Sequence, residues 1–140
     1  MTNEQQKSLK PEDDFSPTEV DDRVFEFYAP LTRVKFFVDS HFQDPLPLAT
    51  VAKIACLERT YFSRFFHEKT GICFRDWLSN LRVEHALELM RLRNRTITDI
   101  AFAVGFQDLR TFERAFEKST GLTPREVSKQ IRVQRSAKLQ

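Results

Sequence analysis

Two copies of one pattern lie fifty residues apart in this chain. Phe62 recurs as Phe112, Arg64 as Arg114, Phe66 as Phe116, Thr70 as Thr120, Gly71 as Gly121 and Arg75 as Arg125. Upstream, Ala52 and Cys56, four residues apart, answer to Ala101 and Gly105. A repeat present only twice points to a duplicated supersecondary unit, because solenoids usually need three or more units to bury a continuous core. Each copy reads as a short helix, a tight turn and a second helix carrying an exposed arginine. That arrangement makes nucleic-acid recognition the first functional reading.

A chain of 140 residues fits one domain, or two very small ones sharing a core element. Phe supplies 14 of the aromatic residues, and only 3 Gly occur, so the interior is Phe-rich and a β fold is disfavoured. Cys56 and Cys73 have neither disulfide-framework nor metal-ligand spacing, and their apolar neighbours predict plain buried thiols. The first 14 residues are polar, unlike a signal peptide, and no apolar run approaches the ~18 residues of a membrane span. A soluble, cytoplasmic protein is expected. Residues 1–30 hold three basic against eight acidic residues, net −5, whereas residues 31–140 are net +7. The basic body favours a polyanionic partner.

Hydrophobic spacing divides the chain into helices. Residues 1–15 read as disordered. Ser16-Pro17-Thr18-Glu19 has the pattern of a capped helix start, with Val20, Val24 and Phe27 following on one stripe and Pro30 closing it. Leu31, Val34, Val38 and Phe42 mark a helix near 31–42. Short helices are predicted at 48–55 and 59–69, and a long one at 74–92 bears Trp77, Leu78, Leu81, Ala86, Leu89 and Met90. Thr96 caps the second copy, Asp108 caps a helix at 109–120, and Thr123-Pro124-Arg125-Glu126 opens a last helix that frays from about 133. Phe62, Phe65 and Phe66 face inward in the first copy, as Phe112, Ala115 and Phe116 do in the second. Thr60, Ser63, Arg64 and His67 face outward, with His67 placed to meet phosphate.

Two helices crossing steeply need a small residue at the crossing, supplied by Ala52 and Ala101, and a turn tolerant of unusual backbone angles, supplied in the second copy by Gly105. The second helix of each pair then has a free face that a major groove about 12 Å wide admits. Two such helices on one rigid rod suit successive major grooves ~34 Å apart.

These residues resemble the DNA-binding domain of the AraC/XylS family of bacterial transcription regulators over roughly residues 31–130. The diagnostic residues are Ile97-Thr98-Asp99-Ile100-Ala101, Val104-Gly105-Phe106, Phe112, Phe116, Gly121 and Thr123-Pro124, supported by Arg82, Ala86 and Leu89. Because little precedes the domain, the chain is most similar to the small single-domain activators of the family. The resemblance implies an all-α fold of two helix-turn-helix subdomains joined by a long central helix, plus an N-terminal arm. The divisions are an acidic, partly disordered arm with a short helix at 1–30, a first unit at 31–73, a linker helix at 74–92, a second unit at 93–132 and a basic tail at 133–140. The arm is expected to be separable from the folded body.

The resemblance further implies a transcriptional activator that binds asymmetric promoter sites on double-stranded DNA as a monomer and contacts RNA polymerase in the bacterial cytosol, associated with the nucleoid. Base-reading positions carry over to Thr60, Ser63 and Arg64 in the first unit and to Leu109, Arg110, Thr111 and Arg114 in the second. The first unit departs from the family pattern at Pro47, Cys56 and Glu58, where a capping hydroxyl, a glycine and a capping serine are usual, which predicts a weakened or shifted recognition helix. Arg64 and Arg114 have structural alternatives in Glu68 and Glu117 at helical spacing. Arg91, Arg93 and Arg95 form a basic elbow. No phosphate loop, nucleophile elbow or paired-His motif is present, so neither an enzyme nor a cofactor site is expected. His41, His67 and His85 fall on separate helices, which argues against a metal site. Two other readings stand beside this one: a protein-interaction module, and the C-terminal DNA-binding fragment of a larger effector-responsive regulator.

Overall fold

The structure, a computed structural model, describes residues 20–92 and 94–138. Among them are eight helices and no strand: α1 (Val24–Phe27), α2 (Ala29–His41), α3 (Leu48–Ala55), α4 (Arg59–Thr70), α5 (Phe74–Met90), α6 (Ile97–Ala103), α7 (Leu109–Thr120) and α8 (Pro124–Lys138). The Ser16-Pro17-Thr18-Glu19 motif, residues 1–15 and Arg93 lie outside the described residues. Pro30 stands in the first turn of α2, where its missing N–H costs nothing, so it opens α2 rather than closing the arm. The last helix does not fray at 133. Thr123 and Glu126 exchange backbone-to-side-chain hydrogen bonds at 2.8 and 3.1 Å, Ile131 packs on the second core, and α8 continues through Lys138.

The repeat is a repeat of hydrogen bonds. In the first turn, Leu57 N–H donates to Ala52 O at 3.0 Å and Cys56 N–H to Lys53 O at 3.0 Å. In the second, Phe106 N–H donates to Ala101 O at 3.0 Å and Gly105 N–H to Phe102 O at 3.1 Å. The helix ends match as well. Gly71 and Gly121 hold φ of 85° and 82°, and the Thr70 and Thr120 hydroxyls donate to the Phe66 and Phe116 carbonyls at 2.7 and 2.8 Å. Each hydroxyl also accepts the N–H two residues on, from Ile72 or Leu122. The duplicated Thr-Gly pairs therefore encode one latch used twice.

Cys56 closes this turn in the left-handed conformation at φ 63°, which is uncommon for a non-glycine residue. The departures at Cys56 and Glu58 thus leave the first turn's hydrogen bonds intact. The expectation of buried thiols fails, since the same conformation turns Cys56 out to solvent and Cys73 is only half-buried. The end of α3 is closed by Arg33, which donates to the Ala55 and Ile54 carbonyls at 2.9 and 3.3 Å.

Two apolar cores lie along α5. Its first half gives Phe74, Trp77 and Leu78 to a core with Leu31, Val34, Val51, Phe62 and Phe66. Its second half gives Val83, Ala86 and Met90 to a core with Ile100, Ala101, Phe106, Phe112 and Phe116. Between the halves stands Arg82, donating to the carbonyls of Phe42 at 2.7 Å and Asp44 at 2.9 Å in the α2–α3 loop. Gly105 packs directly against this junction. At φ 110° it is closed to L-residues, and a Cβ there would lie 2.8 Å from Arg82 Nε and 3.0 Å from Phe42 O.

The described end of the arm, residues 20–28, packs on the first core, contrary to the expectation of a separable arm. Phe25, absent from the predicted stripe, is 2% exposed and sits 5.2 Å from the Trp77 ring and 6.2 Å from that of Phe66, whereas the predicted Phe27 is 81% exposed. A single helical turn has too few residues for a 3.6-residue stripe to decide which side is buried. Here the Asp21 and Asp22 backbone carbonyls accept from the Val24 and Phe25 N–H groups at 3.2 and 3.0 Å at the start of α1, and the Thr32 hydroxyl donates to the Phe25 carbonyl and secures it to α2.

Two outcomes follow for thermal or denaturant unfolding. Phe25→Ala should lose about 3–5 kcal/mol, the cost of emptying a phenylalanine site in a packed core, and a chain shortened past residue 28 should unfold at least as readily. Cys56→Gly should gain roughly 0.5–1 kcal/mol, because relief of left-handed strain outweighs the added unfolded-state freedom, while Cys56→Val should lower the midpoint.

Candidate nucleic-acid interface

Phe62 and Phe66, both fully buried, fix the rotation of α4 about its axis. Thr60, Arg64 and His67 are consequently exposed and Ser63 half-exposed, on the face that the sequence assigns to them. Among the described residues Arg64 makes no ion pair with Glu68 or any other acid. Glu58 caps the helix by accepting from Tyr61 N–H at 3.0 Å. The Thr60 and Tyr61 backbone amides hold its carboxyl below the ordinary glutamate value.

The second unit repeats this design with one difference. Phe112 and Phe116 are fully buried and leave Arg110 and Arg114 exposed, neither paired with an acid among the described residues. Asp108 accepts from both Thr111 N–H at 2.7 Å and the Thr111 hydroxyl at 3.0 Å, and these bonds depress its carboxyl. The Thr111 hydroxyl is thus engaged in the cap, and Leu109 is half-buried against the second core. Of the four positions carried over to this unit, the two arginines alone present uncommitted polar groups. Arg114 also borders a cavity of about 400 Å³ facing α5, where Lys118 pairs with Asp76 at 3.7 Å.

Sequence reasoning passed over two exposed groups on the flank of α4. Arg59 begins the helix, and Tyr61 is 51% exposed with its ring stacked on Phe65 at 6.0 Å. Helical register alone would have found Tyr61, one residue before the buried Phe62. A cleft of about 590 Å³ opens between the units. Ser63 of α4, Arg75 and Arg82 of α5 and Gln107 before α7 line it above an apolar floor of Leu46, Phe74 and Leu78. Among the described residues no three His, Cys, Asp or Glu groups gather as metal ligands, and no helix is long and apolar enough to cross a membrane.

A family profile described as a helix-turn-helix domain matches residues 51–130. The uncharacterized HTH-type transcriptional regulator YobQ of Bacillus subtilis is 36% identical over 89 residues, which are 64% of this chain and 37% of YobQ. The chain therefore spans little more than a third of that relative's length. Among solved structures, the DNA-binding domain of AdpA, a global transcriptional factor in complex with a target DNA, aligns with a TM-score of 0.70 at 25% identity, covering 76% of this chain and 96% of that one. The C-terminal domain of AraT, a response regulator from Geobacillus stearothermophilus, aligns at 0.67 with 29% identity, over 72% and 84% of the two chains.

The two acidic caps give the fold a defined acid response. Both carboxyls titrate lower in the folded chain than in the unfolded one. Their contribution is complete above the ordinary values of 4.5 for Glu and 3.8 for Asp and is lost as the pH falls through the depressed folded values. Glu58→Gln combined with Asp108→Asn keeps an oxygen acceptor at each cap. Melting temperatures across a pH series should show the double variant losing less stability in acid than the parent chain.

Proposed function

The chain belongs to the AraC-type helix-turn-helix family of DNA-binding transcriptional regulators, and we propose that it activates transcription by binding asymmetric promoter sites on double-stranded DNA, with α4 and α7 in successive major grooves. The observation that carries this reading is the pair of rotationally fixed helices, each closed by the same turn and latch and each presenting outward cations that are unpaired among the described residues. In the first unit Arg64 reads a base, Thr60 and Ser63 flank it, and His67 meets phosphate. In the second, Arg110 and Arg114 supply the polar contacts, Leu109 offers an apolar surface to a thymine methyl, and Thr111 contributes through its methyl group while its hydroxyl holds the cap. The first unit occupies residues 31–73, with residues 20–28 of the arm packed on it, 74–92 form the linker helix, and the second unit occupies 93–132. A monomer places both helices on one duplex, in the bacterial cytoplasm, and RNA polymerase is the protein partner.

A second reading draws on the relatives' length. YobQ extends well beyond the stretch matched here, and the aligned part of AraT is the C-terminal domain of a response regulator; the second reading is the same DNA-binding module working as the C-terminal part of a larger, effector-responsive regulator. Both readings share the interface.

The test is selection of bound sequences from a random duplex library, followed by binding isotherms on the selected site. An asymmetric motif of two boxes about one helical turn apart is expected. Arg64→Ala should cost about 1–3 kcal/mol on that site and relax base choice at one position of one box. Equal losses on selected and random duplex would assign Arg64 to phosphate instead, and affinity insensitive to salt would remove DNA as the ligand.

A further inference from the structure

We propose that Arg75 and Gln107, which line the cleft between the two units from the first turn of α5 and from just before α7, contact the minor groove of the DNA that separates the two boxes. Binding then depends on a spacer sequence that neither recognition helix reads. The inference rests on the two-groove reading above and adds to it a third contact.

The cleft is built between the elements that approach DNA. Ser63 reaches it from the outward side of α4, and Gln107 immediately precedes Asp108, the cap of α7. On one side of a duplex, two successive major-groove segments are separated by a minor groove bordered by two phosphate strands. A cleft lying between α4 and α7 therefore covers that minor groove when both helices are inserted. Two arginines line the cleft, and they differ in what remains free. Arg82 is spent on the Phe42 and Asp44 carbonyls. Arg75 is exposed and, among the described residues, makes no hydrogen bond or ion pair, because its neighbour Asp76 turns to Lys118. Gln107 is exposed as well, with a side chain that donates and accepts.

A lone guanidinium over a minor groove is a shape reader. Narrow A/T-rich minor grooves concentrate negative potential and attract arginine, whereas G/C-rich segments are wider and weaker in potential. The repeat supplies a built-in comparison. Arg125, the counterpart of Arg75, stands at the second residue of α8, after the second recognition helix instead of between the two.

The experiment uses the full chain and duplexes in which the two selected boxes are constant and the spacer is either A/T-rich or G/C-rich at equal length. The parent chain should bind the A/T-rich spacer about tenfold more tightly. Arg75→Ala should bring that ratio close to one with unchanged helical content by circular dichroism. Arg75→Lys, which keeps the charge but loses the planar fork, should retain only part of the preference. Arg125→Ala should keep the parent ratio. A parent ratio of one, or an Arg75→Ala ratio equal to the parent's, overturns this inference and leaves the two-box reading standing. A library that yields no two-box motif overturns both.

Discussion

The relative placement of the two helix-turn-helix units depends on one half-buried guanidinium. Arg82 sits where α5 passes from the first core to the second. It satisfies two loop carbonyls of the first unit while its guanidinium carbon lies 5.9 Å from the ring centre of Phe106 in the second. Burial pushes its pKa down from the ordinary arginine value, yet an arginine starts so high that the group stays charged. Phe42 completes the junction: its carbonyl is held by Arg82, its ring stacks on His85 at 3.9 Å, and it packs against both cores. Gly105 must lack a side chain because this assembly leaves no room for one. A turn glycine, a central-helix arginine and a loop carbonyl forty residues before it thus form one joint.

The electrostatics of the recognition helices reflect a division of labour. A helix N-terminus attracts anions, and in both α4 and α7 that attraction is taken up internally by a carboxylate cap, Glu58 or Asp108. The caps define where each helix begins, which keeps the outward side chains in register. They also place a negative charge beside a surface meant for a polyanion. Beyond the caps, Arg64, Arg110 and Arg114 project free of ion pairs among the described residues, and these are the cations the proposed DNA contact draws on.

Much of this was legible in the sequence, for identifiable reasons. The bounds of α7 follow from its Asp108 cap and Gly121 stop and the end of α4 from Gly71, α3 starts after the Pro45 and Pro47 break, and the buried Phe62, Phe66, Phe112 and Phe116 set the outward faces by helical geometry alone. The Thr-Gly latch was visible as repeated residues before its hydrogen bonds were known. What escaped the sequence depended on tertiary contact or on a single backbone angle. Phe25 lies in a helix of one turn, too short for periodicity to choose between it and Phe27. Cys56 has apolar neighbours, but a left-handed turn points it to water. The engagement of the Thr111 hydroxyl with Asp108 depends on a side-chain rotamer, and no spacing rule predicts it. The cleft beside Arg75 exists only because the two units meet.

Each core draws on its own set of phenylalanines, and the two sets share little beyond Phe42 and the length of α5. A change on the outward side of α4 leaves the packing beneath α7 untouched, and the reverse holds equally. On the proposed two-groove reading, descent can therefore revise one half of a target site while the other half still holds the protein on DNA. A regulator built this way passes through intermediates that keep partial recognition, and its target set can diverge in small steps without an interval of lost function.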